Sequence, residues 1–162
     1  MIDSTIFLQP LFALIIHNIK EALWLPQWSK HAKKFHKEVR PFEFLFAALV
    51  ITVIGLLATS AILLFPEIKF LKYLYFGFYG MMFFNAFFPH LIATIVLKKY
   101  APGTVTALLL NVPINLIIIK KAVTLNKTGI SEVLISTVIM GIIILMLLPL
   151  LFKAGRIVSK CN

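Results

Sequence analysis

Five apolar runs fill most of the chain, and the charged residues lie mainly between them. The runs at residues 44–65, 73–97, 101–119 and 133–152 contain no lysine, arginine, aspartate or glutamate, whereas the first, at 6–25, is interrupted by His17, Lys20 and Glu21. A helix needs about 20 apolar residues to cross a bilayer. Because backbone in lipid must satisfy its own hydrogen bonds, the pattern predicts five transmembrane helices at these positions.

The overall composition restricts the class of protein further. The 162 residues are 60% hydrophobic and only 14% charged, and the mean hydropathy is +0.98. Soluble domains contain about 45–50% apolar and about 25% charged residues. The composition therefore excludes a soluble globule and indicates an all-α, polytopic membrane protein, with residues 1–162 forming one integral membrane domain.

The net charge of +10 does not indicate a nucleic-acid partner, because the basic residues alternate with apolar runs instead of forming one soluble basic face. Loops near anionic headgroups have this pattern, so we expect membrane lipids as partners and no nucleic acid. With five spans, ten basic residues lie on the side of the 26–42 connection and five on the other. The positive-inside rule then predicts an N-terminus outside and a cytoplasmic C-terminus.

The connection at 26–42 combines aromatic side chains with lysines, which is typical of an amphipathic segment at the headgroup boundary. We interpret His31 and His36 as part of its hydrated, basic face.

Polar residues inside the runs fall at similar depth in the cytoplasmic half of the predicted bundle. An ionisable group at the bilayer centre costs about 2.5–3.5 kcal/mol, so such groups persist where they pair, face a wet cavity or bind a ligand. The residues at this depth are His17, Glu21, Glu43, Asn85, His90, Thr104, Thr106 and Asn111, with Asn115 nearer the midplane.

His17 and Glu21 are four residues apart, which places their Cβ atoms about 5–6 Å apart on one helix face. This spacing suits two ligands of one metal ion. It equally suits a hydrogen bond between imidazole and carboxylate that only satisfies two buried groups. The pair by itself leaves both interpretations open.

Prolines and glycines in the third and fourth runs predict local geometry. Pro89 removes a helix donor, so we expect a kink just before His90 that turns it towards Asn85, unless the proline only shapes packing. Pro102–Gly103 suits a type II turn, after which Thr104 can cap the fourth helix.

Other residues of these runs have packing or ligand roles. Gly77 and Gly80 are expected to permit close helix approach. Pro113 frees the carbonyl of Leu109, and Asn111 and Asn115 share a helix face. The many aromatic residues of the third run, from Tyr73 to Phe88, either line a slot for an isoprenoid or acyl chain or pack and face lipid.

The segments HNIKEALWLPQW and NAFFPHLIATIVLKKYAPGTVTALLLNVP resemble the HXXEE domain family of small bacterial membrane proteins, which implies a multi-pass protein of the cell membrane, the bacterial inner membrane. The histidine of the family motif falls on His17 and its second glutamate on Glu21, while Lys20 holds the first glutamate position. Either Glu21 suffices alone, or this member has lost or changed the activity, or Glu43 supplies the second carboxylate.

Three functions follow from these residues. The first is an intramembrane metal-dependent enzyme, such as a hydrolase, acting on a lipid-soluble or membrane-embedded substrate. Its catalytic residues and ligands of a divalent ion (zinc or iron) are His17, Glu21 and His90, and Asn18, Glu43, Asn85 and Asn111 contact the substrate or support the ligands. The second is a small transporter or accessory subunit with a proton- or solute-binding His/Glu site, working as a homo-oligomer or with a partner membrane protein. The third is a polar cluster that only sets helix register.

Overall fold

The computed structural model describes residues 4–30 and 38–161, and in these ranges the chain forms five long helices. A short 3-10 segment, Ser4–Leu8, leads into the first helix. The helices are α1 (Gln9–Ser29), α2 (Pro41–Leu64), α3 (Lys69–Leu97), α4 (Thr104–Thr124) and α5 (Ile130–Cys161). Residues 31–37 of the predicted amphipathic segment, which include His31 and His36, lie outside the described residues.

All five helices are long and apolar enough to cross a membrane. Large apolar side chains cover the outer faces as well as the interior: Leu57 is 62% exposed, Leu145 65% and Met146 70%. A helix of a soluble bundle keeps such residues on its inner face. The helices differ from the predicted runs at their ends: α5 continues nine residues past its run, whereas α4 begins three residues inside its run. Hydropathy predicts only the part of a helix that is expected in lipid.

Polar contacts define the two ends of the bundle. At the amino end, where α1, α3 and α5 begin, the Tyr75 hydroxyl donates to the carbonyl of Phe7 (2.9 Å) and Lys69 pairs with Glu132 (3.3 Å). At the carboxyl end, where these helices finish, the backbone N–H of Val39 donates to the Ser29 hydroxyl at 3.3 Å. Helices α1, α3 and α5 therefore run in one direction, and α2 runs against them.

Small residues bring α3 against α5. A Cβ atom on Gly77 would lie 2.6 Å from the carbonyl oxygen of Ser136, and one on Gly80 would overlap the side chain of Thr137. Any larger residue would force the helices apart, so the predicted role of these two glycines is confirmed.

Helix α3 is broken at Phe88, whose backbone (φ −127°, ψ 117°) is not helical, and the Phe88–Pro89 peptide bond is cis. Proline lacks a donor and disfavours helical geometry in the residue before it. The break confirms the kink predicted before His90. Beyond it, the side chain of His90 is buried and only 4% exposed.

The connection between α3 and α4 is a buried turn. The N–H of Thr104 donates to the carbonyl of Ala101 (3.2 Å), and Gly103 has a φ of +89°, as the third position of a type II turn requires. The predicted turn is confirmed, but the predicted cap is wrong. Gly103 is the N-cap, and the Thr104 hydroxyl donates to the carbonyl of Ala101 (2.7 Å) and does not cap the helix.

Candidate metal centre

Two histidines and one glutamate meet inside the bundle near its carboxyl end. Nε2 of His17 lies 3.5 Å from one carboxylate oxygen of Glu21, and Nε2 of His90 lies 3.1 Å from the other. The two imidazole rings are nearly perpendicular, with centroids 5.1 Å apart. One ligand atom from each residue can be chosen so that all three lie within 4.8 Å of one another. The sequence therefore predicted correctly that these three residues meet.

The buried turn closes one side of this triad (His17, Glu21 and His90). A Cβ atom on Gly103 would lie 2.9 Å from Cγ of Glu21, 2.9 Å from Cε1 of His17 and 3.2 Å from Cε1 of His90. Only a residue without a side chain lets the backbone approach all three. Gly103 is thus required both by its positive φ and by this contact.

A hydrogen-bond chain orients the ring of His17. The Thr106 hydroxyl donates its single proton to the carbonyl of Gly103 (3.0 Å) and lies 3.1 Å from Nδ1 of His17. With that proton used, the hydroxyl oxygen must accept, so Nδ1 of His17 is the protonated ring nitrogen. In the neutral ring, Nε2 then carries a lone pair. This atom is buried, and no described residue offers it a hydrogen bond.

Nε2 of His17 lies 3.5 Å from a carboxylate oxygen of Glu21, and both atoms are electron-rich. Two such atoms in a low-dielectric interior need a cation between them, either a proton or a metal ion. Histidine ligands of metals usually donate their other N–H to an oxygen acceptor, which fixes the tautomer. The chain from His17 through Thr106 to Gly103 has this arrangement.

The spacing of the ligand atoms fits a metal ion. Zinc bonds of about 2.0–2.2 Å to nitrogen and oxygen in a tetrahedron place ligand atoms about 3.4 Å apart. The distances from His17 and His90 to the Glu21 carboxylate, 3.5 and 3.1 Å, are close to this value but run to different oxygens, and three ligand atoms can be chosen within 4.8 Å of one another. Two histidines and one carboxylate hold catalytic zinc and also non-haem iron. The triad can therefore hold a divalent ion and leave a coordination position open.

A cavity of about 190 Å³ adjoins the triad. Its polar lining consists of the triad with Asn18 and Asn85, and the rest comes from apolar residues of α2, α3 and α5, among them Ala47, Ile51, Met81, Ile144 and Phe152. The aromatic residues of α3 do not line it. Tyr75, Phe76, Phe78 and Tyr79 are buried in the core, and Phe84, Phe87 and Phe88 are exposed. The hypothesis of an aromatic slot is wrong for this cavity.

The three asparagines predicted near the site have different surroundings. Asn85 lines the cavity. Asn18 also lines it, but its amide nitrogen donates to α2, at Thr52 Oγ1 (2.8 Å) and the carbonyl of Ala48 (3.3 Å). Asn111 is buried, its amide nitrogen has no partner among the described residues, and it does not line the cavity. Its carbonyl accepts from the side chain of Asn115 (2.7 Å), as their shared face suggested.

Glu43 is not joined to the triad. Its carboxylate accepts two hydrogen bonds from the guanidinium of Arg156, at 2.8 and 3.1 Å. Gly155 permits this, because a Cβ atom there would lie 3.0 Å from Cα of Glu43. The depth of Glu43 along α2 suggested a substitute ligand, but this carboxylate is already bound to a cation from α5.

Lys20, which replaces the first glutamate of the motif, lies on the outside of α1. It is about 100° around the helix from Glu21, is exposed, and holds its amine 4.5 Å from the ring centroid of Trp24. The motif position that differs in this chain therefore does not contact the triad.

Sequence reasoning did not find the contacts of Thr106 and Gly103 with the triad. Thr106 was recognised only by its depth and Gly103 only as a turn residue. The available signal was their position in a Pro-Gly-Thr-Val-Thr segment directly after the helix that carries His90. That signal does not tell whether the turn is exposed or folded into the bundle.

Comparison with known proteins agrees with these motifs. The chain matches the family described as "Protein of unknown function with HXXEE motif" over residues 9–118, which include the whole triad and the turn. The uncharacterized protein YrkK of Bacillus subtilis (strain 168) is 50% identical over 148 residues, which cover 91% of this chain and 94% of that protein. No solved structure matches. The chain therefore belongs to the HXXEE family.

Proposed function

We propose that this protein is an intramembrane metal-dependent enzyme, a hydrolase, that acts on a lipid-soluble or membrane-embedded substrate. His17, Glu21 and His90 hold one divalent ion, zinc or iron. The observation that carries the proposal is the buried Nε2 of His17, which faces the Glu21 carboxylate at 3.5 Å without a hydrogen bond from any described residue.

The ion would supply Lewis acidity and a water activated at neutral pH. The protein's own contribution is the ligand geometry, held by Thr106 and Gly103, and a cavity that is largely apolar next to the triad. An apolar cavity favours a substrate with a hydrocarbon portion. Asn85, which lines the cavity, can donate a hydrogen bond to a substrate oxygen.

The proposed location is the cell membrane, the inner membrane of a bacterium, with five passes. The N-terminus is outside and the carboxyl end of the bundle faces the cytoplasm, which is the side with ten basic residues against five. The triad would then take its substrate from the inner leaflet.

Elemental analysis of detergent-purified protein tests the metal. We expect about one zinc or iron ion per chain in the wild type, and loss of that ion in His17→Ala and Glu21→Gln. Glu43→Gln is the matched control, because it removes a buried carboxylate charge outside the triad. Wild-type protein without metal, whose thermal stability is unchanged by added zinc or iron, would contradict the proposal.

A second candidate is a transporter or accessory subunit in which the triad binds a proton or solute. The 3.1 Å contact between His90 and Glu21 favours it, because this pair can share a proton without an ion. Flux into proteoliposomes that is lost in Glu21→Gln and insensitive to chelators would select this candidate over the enzyme.

A further inference from the structure

A second cavity, of about 610 Å³, lies at the carboxyl end of the bundle between the start of α2 and the last turns of α5. Its cationic side is one face of α5, with Lys153, Arg156 and Lys160 at spacings of three and four residues. Glu38 and Glu43 also line it, and the Glu43 carboxylate is bound to Arg156. This basic cavity is separate from the triad, and the proposed function does not use it.

The cations of the basic cavity have donors left for an anion. Arg156 donates two of its five N–H groups to Glu43, at 2.8 and 3.1 Å, so three remain. Lys153 and Lys160 are exposed, and neither has an ion pair with a carboxylate among the described residues. Arginine and lysine in this arrangement suit a phosphate group.

The basic cavity lies at the depth of lipid headgroups. Helix α5 has 32 residues and is about 48 Å long, whereas the hydrocarbon core is about 30 Å thick. Its uncharged apolar run ends at Phe152, so the turns that carry Lys153, Arg156 and Lys160 extend beyond it. Basic pockets between transmembrane helices at this level bind anionic headgroups.

The basic cavity also adjoins the apolar cavity beside the triad. Val39 and Phe152 line both of them. From Phe44 to Ile51 on α2 and from Phe152 to Ile144 on α5, the apolar lining extends about 10–12 Å along the helices. A free phosphate would occupy only the basic cavity. A lipid would place its headgroup in the basic cavity and part of its chain in the apolar cavity.

We infer that the protein binds a phosphate-bearing anionic lipid. Its phosphate contacts Lys153, Arg156 and Lys160, and its chain enters the apolar cavity past Val39 and Phe152. As a substrate class this inference rests on the proposed enzyme, because it places the lipid chain beside the metal ligands. The binding itself requires no metal.

Native mass spectrometry of the purified protein, with phosphatidylglycerol or phosphatidylcholine added, tests the headgroup. We expect phosphatidylglycerol to be retained in preference. The double variant Lys153→Gln, Lys160→Gln should weaken its binding about thirty-fold, because each basic residue near an anionic headgroup contributes about fivefold. The matched control, Lys120→Gln with Lys127→Gln, removes two lysines from the amino end and should bind as the wild type does.

Two further measurements test whether the phosphate belongs to a lipid and whether the lipid chain occupies the apolar cavity. Inorganic phosphate at millimolar concentration should not displace the lipid, and displacement would overturn the inference in favour of a free phosphate ligand. Ala48→Leu, at a position that lines the apolar cavity, should weaken lipid binding, whereas Leu49→Phe, whose side chain is 61% exposed, should not.

Equal retention of both lipids, or equal binding by the double variant and its control, would overturn the inference. Metal content, measured on the same samples, separates this result from the proposed function. Lysine variants that keep their metal but bind lipid like the wild type would refute the lipid site alone.

Discussion

Replacing Thr106 by valine should weaken the proposed metal binding while leaving His17, Glu21 and His90 in place. Valine has nearly the same shape as threonine but has no hydroxyl group, so Nδ1 of His17 loses the Thr106 oxygen and keeps only its hydrogen bond to the Gly103 backbone. The carbonyl of Gly103 loses one donor but still accepts from the N–H of Ala107 (2.8 Å). The perturbation is therefore confined largely to the ring of His17.

The magnitude follows from the two responses open to His17. If the ring keeps its tautomer, its buried N–H retains only the Gly103 backbone as acceptor. The cost then lies within the penalty for an unpartnered buried donor, about 1–3 kcal/mol, or about 5- to 150-fold in affinity. If the ring changes tautomer instead, Nε2 carries the proton and no longer offers a lone pair to the ion. Loss of a supporting hydrogen bond to a ligand typically costs about 10- to 100-fold in metal affinity, which agrees with the first estimate.

The assay is a competition titration of the metal-loaded protein against a chromophoric chelator in detergent. Thermal unfolding after chelator treatment reports the stability of the fold without metal. Thr106→Ser is the matched control, because it keeps the hydroxyl and removes only a methyl group. We expect Thr106→Ser to bind metal within about threefold of the wild type and Thr106→Val about 10- to 100-fold more weakly.

Two results would refute this reasoning. One is a Thr106→Val protein that binds metal as tightly as the wild type, since the hydroxyl would then not orient His17. The other is an equal loss in Thr106→Ser and Thr106→Val, which would point to packing of the methyl group and not to the hydrogen bond.

Three further substitutions test separate parts of the structure. Gly103→Ala should lower both metal content and melting temperature, because its Cβ would lie 2.9 Å from atoms of Glu21 and His17 at a φ of +89°. Elemental analysis and thermal unfolding that match the wild type would contradict the tight turn. Lys20→Glu restores the family motif but should change metal affinity less than about threefold, because the side chain is exposed and lies outside the triad. A large gain of metal affinity in the chelator titration would show that the first glutamate is a ligand. Gly80→Leu should destabilise the fold by several kcal/mol through overlap with α5, and an unchanged melting temperature would be evidence against the close α3–α5 contact.

The sequence by itself predicted the all-helical fold and the three ionisable residues that meet inside the bundle. In lipid, a single run of about 20 apolar residues satisfies its backbone hydrogen bonds by forming a helix, so five runs predicted five helices. The cost of burying ionisable groups drew attention to His17, Glu21 and His90, because such residues are retained in a membrane only with a partner. Local rules also sufficed for the break at Pro89 and the turn at Gly103, since both depend on a residue's own backbone constraints.

Only the tertiary structure decided which groups contact one another across helices. Residue depth along a helix placed Glu43 and the triad at a similar level, but depth does not specify the direction in which a side chain points. The rotation of α2 about its axis directs Glu43 to Arg156, 113 positions away in sequence. The fold of the turn brings Thr106 and Gly103 against the histidines. Such long-range pairings depend on how the helices pack. Gly77 and Gly80 indicated a close helix approach in advance, but not which helix approaches or at what rotation.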